Sequence, residues 1–278
     1  MTDLTVEIPG FTIACRTWGH KDNPVLIALH GWLDNANSFK PIAPMLSKNY
    51  YVVAIDLPGH GLSSHLPQGC HYHFVDGIFT LFDAIEALGY RQFNLLGHSM
   101  GACLSSLMAG VAPERIDQLF LIEGLGPFSA PEQMCSEQLS RYLSHHNSGA
   151  SQVIRPYDTI EDAAKARAKR GHISVELAKI LCERGVSISS GQYIWCHDRR
   201  LVTPTPLYLT EGQILSCLAN ITASTRLIWA NEGFEYNQTM MAKRIKTVPN
   251  LKQYHLKGGH HIHMEHPHAV AEIILANE

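Results

Sequence analysis

The 278-residue sequence has few charged residues: Asp, Glu, Lys and Arg make up 17%, against about 25% in typical soluble domains. With 22 basic and 25 acidic residues, the net charge is −3 when histidine is neutral. Such a balance gives no indication of a nucleic acid or an anionic membrane as the main partner. Disordered chains combine high charge with few hydrophobic residues, whereas 45% of this sequence is hydrophobic. The composition therefore predicts a folded chain with a substantial apolar core.

Long hydrophobic runs and paired cysteines are also lacking. No apolar run approaches the roughly 18 residues of a membrane helix, and the segment Met1–Leu4 has none of the apolar character of a signal peptide. The seven cysteines are scattered and none forms a C-x-x-C pair. We therefore expect reduced thiols, a cytoplasmic location and no membrane insertion.

Strand and helix signals alternate over the first 125 residues. Pro24–Leu29 and Tyr50–Ile55 are short apolar runs, typical of strands buried on both faces. Phe74–Leu88 has apolar residues at helical spacing and is followed by Gly89. This alternation predicts a mostly parallel sheet with helices on both faces, that is, an α/β fold.

The pattern changes in the middle of the sequence. From Gly124 to Asn220 there are helix signals but no convincing strand signal, and strand signals resume at Arg226–Trp229. We therefore expect one core domain formed by residues 1–124 and 221–278. Residues 125–220 are expected to form a helical cap inserted into that domain.

The strongest motif is Gly97-His98-Ser99-Met100-Gly101, which follows a predicted strand and opens a predicted helix. This is the setting of a nucleophile elbow, a strained turn that projects a serine oxygen above the strand end. The residues two before and two after the serine must be very small, and both are glycine. Ser99 is the candidate nucleophile, and the Met100 backbone N–H is a candidate oxyanion donor. The alternative is a chance G-x-S-x-G in a loop.

A second motif, His30-Gly31-Trp32, ends the strand predicted over Pro24–Leu29. Nucleophile elbows draw a second oxyanion donor from the loop at this strand end, which makes the Trp32 backbone N–H the candidate. The Trp32 indole can also be a packing residue, because the proposed role uses only the backbone. We expect His30 to support the loop rather than to take part in chemistry.

Five histidines crowd together after the last predicted strand, within the segment from Gly258 to His268. A serine nucleophile needs a base, and His260, directly after two glycines, is the candidate. The crowding also suggests a metal site as an alternative. Because there is no H-E-x-x-H and no carboxylate at metal-ligand spacing on a clear helix, we expect no metal.

With these motifs in this order, the sequence resembles the α/β-hydrolase superfamily. The loop Asp56–Gly61 and the pair Glu265-x-Pro267 are further matches. The segment Trp195–Leu201, followed by Thr210–Gln213, resembles the end of the cap in the serine hydrolase-like (kraken-type) group. The resemblance implies an α/β-hydrolase fold: a mostly parallel eight-stranded sheet with helices on both faces and an inserted helical cap.

One departure from the superfamily concerns the acid that orients the histidine. It usually follows the seventh strand, where this sequence has Gly233. Some members, haloalkane dehalogenases among them, place the acid after the sixth strand, which here offers Glu123. A charged group directly after an apolar strand needs a partner, and on that argument we favour Glu123 over the alternative, Glu232.

Serine at the elbow, rather than the aspartate of dehalogenases, implies an acyl-enzyme. The resemblance therefore implies a carboxylesterase-type serine hydrolase with a Ser99–His260–Glu123 triad. It would cleave small to medium acyl esters, or thioesters or lactones. Two alternatives stay open: a C–C bond hydrolase of dienoic ring-fission products, and a non-catalytic receptor or binding protein. We expect a small-molecule ester substrate, no cofactor, no nucleic acid partner, and a monomer or homodimer.

Overall fold

The computed structural model describes residues 1–147 and 155–276. Within these ranges there are ten β-strands, in two sheets. In chain order they are β1 (Thr2–Ile8), β2 (Phe11–Trp18), β3 (Val25–Leu29), β4 (Tyr51–Ile55), β5 (Phe93–His98), β6 (Ile116–Ile122), β7 (Val186–Ser189), β8 (Gln192–Trp195), β9 (Ser224–Glu232) and β10 (Leu251–Gly259).

Eight strands form the main sheet, in the order β1-β2-β4-β3-β5-β6-β9-β10. The pairs β1–β2 and β2–β4 are antiparallel, and every pairing from β4 to β10 is parallel. The predicted mostly parallel eight-stranded sheet is therefore confirmed. The strand order reverses between β3 and β5. In such open sheets, ligands bind beyond the carboxyl ends of the strands at the point of reversal.

Helices cover both faces of the main sheet. In chain order the helices of the described residues are α1 (Ala43–Leu46), α2 (Asp76–Ala87), α3 (Met100–Val111), α4 (Cys135–Asn147), α5 (Ile160–Gly171), α6 (Val175–Gly185), α7 (Glu211–Leu218), α8 (Gln238–Thr247), α9 (Ile262–Glu265) and α10 (Pro267–Leu275). Helices α2, α3, α7 and α8 pack on one face, and α1, α9 and α10 on the other. None of these helices is long and apolar enough to span a membrane.

The two apolar clusters follow from the alternation of side chains along each strand. In β3, Ile27 and Leu29 point into the cluster beneath α2 and α3, and Leu26 and Ala28 into the cluster beneath α1 and α10. Every residue of β3 and β4 is buried. Their continuous apolar sequences are explained by this burial on both faces.

Residues 125–220 contain α4, α5, α6 and α7, but they also contain the antiparallel pair β7–β8. The expectation that this region lacks strands was wrong. The pair is closed by Ser190 and Gly191, whose φ values are 50° and 79°. Two consecutive residues with positive φ make a hairpin turn that matches the twist of its strands. The division into core and cap domains stays a prediction.

The amino-terminal strand β1 was not among the strands predicted from the sequence. Leu4, Val6 and Ile8 alternate with polar residues, and each is less exposed than its neighbours. The turn to β2 passes through Gly10, whose φ is 94°. Period-two alternation before a Pro-Gly turn was therefore a usable strand signal.

Candidate active site

Ser99 lies at the turn between β5 and α3, at the carboxyl edge of the sheet. Its φ of 51° and ψ of −116° form a strained combination for a residue with a side chain. A Cβ on Gly97 would lie 2.5 Å from the Gly101 carbonyl oxygen, and a Cβ on Gly101 would overlap the Leu29 carbonyl. The turn therefore requires glycine at both positions, and it leaves the Ser99 side chain facing a cavity.

His260 follows β10 and connects Ser99 to Glu123. Its Nε2 atom lies 2.8 Å from Ser99 Oγ, and its Nδ1 atom lies 3.0 Å from Glu123 Oε2. In a neutral ring with Nδ1 protonated, Nδ1–H donates to the carboxylate and the serine hydroxyl donates to Nε2. This tautomer leaves Nε2 able to accept the serine proton.

Glu123 directly follows β6 and adopts a φ of 56°. Its side chain is 1% exposed. Its Oε1 accepts from the Ala230 backbone N–H at 2.7 Å, and its Oε2 from the Phe234 N–H at 2.9 Å. The Tyr236 hydroxyl donates to the Glu123 backbone carbonyl at 2.8 Å. A buried carboxylate needs such partners, and here backbone donors from the end of β9 and from the segment that follows it supply them.

The two candidate acids are placed differently. Glu232, at the end of β9, is exposed, whereas the carboxylate in contact with His260 is that of Glu123. A Cβ on Gly233 would overlap the Glu123 carboxylate. The glycine at the usual position of the acid therefore makes room for a carboxylate that arrives from the neighbouring strand.

The two candidate oxyanion donors come from the start of α3 and from the loop after β3. Met100 is the first residue of α3, where backbone N–H groups have no partner within the helix. Trp32 lies in the loop after β3, and both residues line the cavity that Ser99 faces. The Trp32 side chain has a partner of its own, since its Nε1–H donates to the Leu201 carbonyl at 3.0 Å. This contact does not involve the backbone N–H.

Two fully buried histidines support the loop that carries Trp32. His30 Nε2 accepts from the Leu57 N–H at 3.0 Å, and His60 Nε2 accepts from the Leu33 N–H at 3.2 Å. Burial lowers the pKa of His30, and burial lowers the pKa of His60 to about 3. Both rings are therefore neutral acceptors at neutral pH, in keeping with the supporting role expected of His30.

A cavity of about 1510 Å³ opens over Ser99 and His260. Its lining includes apolar residues of the 125–220 region, among them Phe128, Leu139 and Leu207. Aromatic residues of this region divide into two groups. Phe128 and Tyr208 line the cavity, whereas Tyr157 and Trp195 pack against the small apolar cluster formed by α5 and α6. Only some of the aromatic residues of the 125–220 region therefore face the cavity.

Sequence reasoning missed Asp34. This residue lies in the loop after β3, is 3% exposed, and forms an ion pair with Arg167 of α5. Its Oδ2 also lies 3.2 Å from His261 Nε2. The motif His30-Gly31-Trp32 points to the loop but not to Asp34, because both of its partners lie far away in the sequence.

Comparisons with known proteins concern the fold and the family. A family model described as the alpha/beta hydrolase fold matches residues 24–144. A serine hydrolase-like protein of Dictyostelium discoideum is 33% identical to the chain, over 96% of this chain and 78% of that protein. A serine hydrolase-like protein of Danio rerio is 28% identical, over 98% of this chain and 87% of that protein.

Solved structures show the same arrangement. A hypothetical protein from Pseudomonas aeruginosa is 36% identical, with a TM-score of 0.92, over 99% of this chain and 96% of that one. A thioesterase domain from the curacin biosynthetic pathway is 28% identical, with a TM-score of 0.88, over 99% of both chains. The likeness therefore extends over residues 125–220 as well as over the main sheet.

Proposed function

Since the chain belongs to the serine hydrolase-like family of the α/β-hydrolase fold, we propose that it hydrolyses carboxylic esters through an acyl-enzyme on Ser99. The observation that carries this proposal is the 2.8 Å separation between Ser99 Oγ and His260 Nε2. A serine hydroxyl is a weak nucleophile unless a base accepts its proton, and this distance is within hydrogen-bond reach.

In the proposed reaction, Ser99 Oγ attacks the acyl carbonyl while His260 Nε2 takes the hydroxyl proton. The resulting imidazolium is stabilised by Glu123, which is held as a carboxylate acceptor by two backbone N–H groups. His260 then gives the proton to the leaving alcohol as the carbon–oxygen bond breaks. Water repeats the sequence on the acyl-enzyme and releases the carboxylic acid.

The backbone N–H groups of Trp32 and Met100 are the proposed donors to the oxyanion. They belong to the loop after β3 and to the start of α3, which meet where the strand order reverses. Because the loop is supported by His30 and His60, the Trp32 donor is held in place before substrate arrives. Donors fixed in advance stabilise the developing charge without reorganisation.

The cavity supports a small to medium acyl ester as the substrate class. Its volume of about 1510 Å³ exceeds that of many small-molecule sites, and apolar side chains from residues 125–220 line much of it. The thioesterase domain among the similar structures supports thioesters as a further possibility within the same chemistry. Lactones stay in the proposal because they are cyclic esters and would react through the same acyl-enzyme.

The test is hydrolysis of p-nitrophenyl esters graded by acyl length, with labelling by a fluorophosphonate. We expect the wild type to be labelled at Ser99, and Ser99→Ala to lose labelling and at least 10³-fold in kcat. Glu123→Gln should lose activity strongly, whereas the matched Glu232→Gln should not. Wild-type turnover by Ser99→Ala would contradict the proposal, and impairment of Glu232→Gln alone would reverse the choice of acid.

The same panel separates the two alternatives. Turnover of dienoic diketo acids without turnover of any ester would favour a C–C bond hydrolase. A chain that neither reacts with the fluorophosphonate nor turns over any substrate would favour a binding protein. The hydrogen bonds that link Ser99 to His260 and His260 to Glu123 argue against a binding protein.

We also propose a cytoplasmic location. All seven cysteines are free thiols, including the fully buried Cys15 and Cys182. Scattered free thiols are typical of proteins kept in a reducing compartment. Whether the chain acts as a monomer or a homodimer stays a prediction, to be decided by its mass in solution.

A further inference from the structure

A second group of polar side chains lies at the base of the cavity, beside the candidate active site. Asp34, His98 and His261 are each at most 3% exposed, and one ligand atom from each lies within 4.8 Å of the others. Asp34 Oδ2 is 3.2 Å from His261 Nε2 and 3.8 Å from His98 Nδ1. None of these side chains has a role in the proposed ester hydrolysis.

The tautomer of His98 is fixed by its other ring nitrogen. His98 Nε2–H donates to the His260 backbone carbonyl at 2.8 Å, so Nδ1 of the neutral ring carries a lone pair. This Nδ1 is buried and has no hydrogen-bond partner among the described residues. A lone pair and a carboxylate oxygen thus face each other across a buried gap. Buried acceptors in this arrangement require a cation or a hydrogen-bond donor between them.

We propose that Asp34, His98 and His261 bind one transition-metal ion, with Zn²⁺ as the best fit to two imidazole nitrogens and one carboxylate oxygen. Zinc bonds to such ligands are about 2.0–2.2 Å long, which places tetrahedral ligand atoms roughly 3.3 Å apart. The separations from Asp34 Oδ2, 3.2 and 3.8 Å, are near this value, and because the three ligand atoms lie within 4.8 Å of one another, a shift of the two imidazole rings would complete the geometry. For Nε2 of the neutral His261 ring to bind the ion, the ring proton moves from Nε2 to Nδ1, and water from the cavity completes the fourth position.

The surroundings of His98 and Asp34 also fit a metal site. Ligating histidines typically donate their second ring N–H to a carbonyl, as His98 does here, and ligating carboxylates are themselves held by hydrogen bonds. Asp34 Oδ1 is held in this way by Arg167. Beside the gap lies Gly31, where a Cβ would be 3.0 Å from His98 Nδ1 and 3.1 Å from Asp34 Oδ2. The missing side chain leaves the gap open.

The metal can reach the site from the active-site cavity, because all three ligands line that cavity. The ligands come from three segments: the loop after β3, the turn at Ser99, and the turn after β10. Binding therefore joins the three segments that carry the candidate oxyanion donor, nucleophile and base. A ligand that binds only the folded state raises its stability.

The experiment begins with protein stripped of metal by a chelator and then titrated with ZnCl₂ in a calorimeter. We expect one equivalent of Zn²⁺ to bind and to raise the melting temperature. Co²⁺ in the same site should give the visible spectrum of tetrahedral coordination. His261→Gln should weaken zinc binding at least tenfold, while Ser99→Ala should bind as the wild type does, which separates this inference from the proposed hydrolysis.

The matched control is a surface histidine cluster, in which the His71 ring lies 5.3 Å from that of His146 and 6.0 Å from that of His73. We expect His71→Gln to leave the tightest zinc site unchanged. Loss of zinc binding in His71→Gln but not in His261→Gln would overturn the proposal. Absence of zinc binding to the wild type would also overturn it, and is the result expected if water fills the gap. Should His261→Gln fail to fold, an octahedral Co²⁺ spectrum of the wild type would decide against it.

Discussion

At the scale of single residues, the position of one carboxylate determines how His260 is held. Glu123 arrives from the end of β6, and its carboxylate occupies the space that any side chain at position 233 would need. The backbone segment that bears Gly233 still contributes, because Phe234 donates its N–H to the same carboxylate. A carboxylate attached at position 123 or at position 233 would therefore occupy the same site beside His260.

This geometry predicts that the acid can be moved. Glu123→Ala should lower kcat/KM about 10³–10⁴-fold, because His260 loses the group that orients it. Adding Gly233→Asp to that variant should raise kcat/KM at least tenfold, because alanine at position 123 leaves the carboxylate site free. Gly233→Asp alone should be destabilised by overlap with Glu123. Steady-state kinetics and melting temperatures of the three variants test this, and a double variant no more active than Glu123→Ala would contradict it.

The role of a residue could be predicted where its neighbours in the sequence indicate that role. Ser99 lies within a five-residue motif whose two glycines are required by the turn. Glu123 could be proposed because a charge directly after an apolar strand needs a partner. Asp34 carries no such signal: its partner His261 is 227 positions away, and only the folded chain brings them together.

At the scale of elements, α6 is held to the main sheet by buried polar contacts. Asn35 and Asn37 donate side-chain N–H groups to the Leu181 and Ile180 carbonyls, each at 2.9 Å. Arg184, near the end of α6, donates to Asp56 at 2.7 Å and is 3% exposed. The segment that contains α6 is therefore fixed by hydrogen bonds as well as by apolar packing.

Removing the buried arginine should destabilise the protein strongly. Arg184→Met leaves the Asp56 carboxylate buried without its cation, which typically costs about 3–5 kcal/mol. The matched control is Glu183→Gln, one residue earlier, which breaks an exposed ion pair with Lys40 and should cost less than about 1 kcal/mol. Urea denaturation measures both values, and equal effects would show that the buried pair contributes no more than the exposed one.

Helix starts in the 125–220 region could be predicted from the sequence, and its hairpin could not. Thr159 and Ser174 are of the residue types preferred at helix N-caps, and each accepts a hydrogen bond from the backbone N–H three residues later. The strands β7 and β8 have only four residues each, too few for a clear period-two pattern. Their register depends on the turn at Ser190 and Gly191.

At the scale of the whole molecule, the 17 histidines have separable roles. One is the candidate base, three buried ones crowd beside it (His98, His261 and His263), and others lie on the surface. His30 and His60 form a pair of their own, with ring centres 5.0 Å apart, and each accepts from a backbone N–H. Because both are buried and neutral, they connect the stability of the Trp32 loop to pH.

The sign of this effect follows from the lowered pKa of His60, which is about 3 in the folded chain against 6.5 as the ordinary value. Below pH 6.5, His60 is protonated in the unfolded chain but stays neutral in the folded chain until the pH approaches 3. The free energy of unfolding therefore decreases as the pH falls. Between pH 7 and 5.5, His60 alone should remove about 1.3 kcal/mol, and His30 adds to this loss. Urea denaturation at the two pH values measures it. His60→Gln should flatten the dependence, whereas the exposed His255→Gln should not; equal stability of the wild type at both pH values would contradict the burial argument.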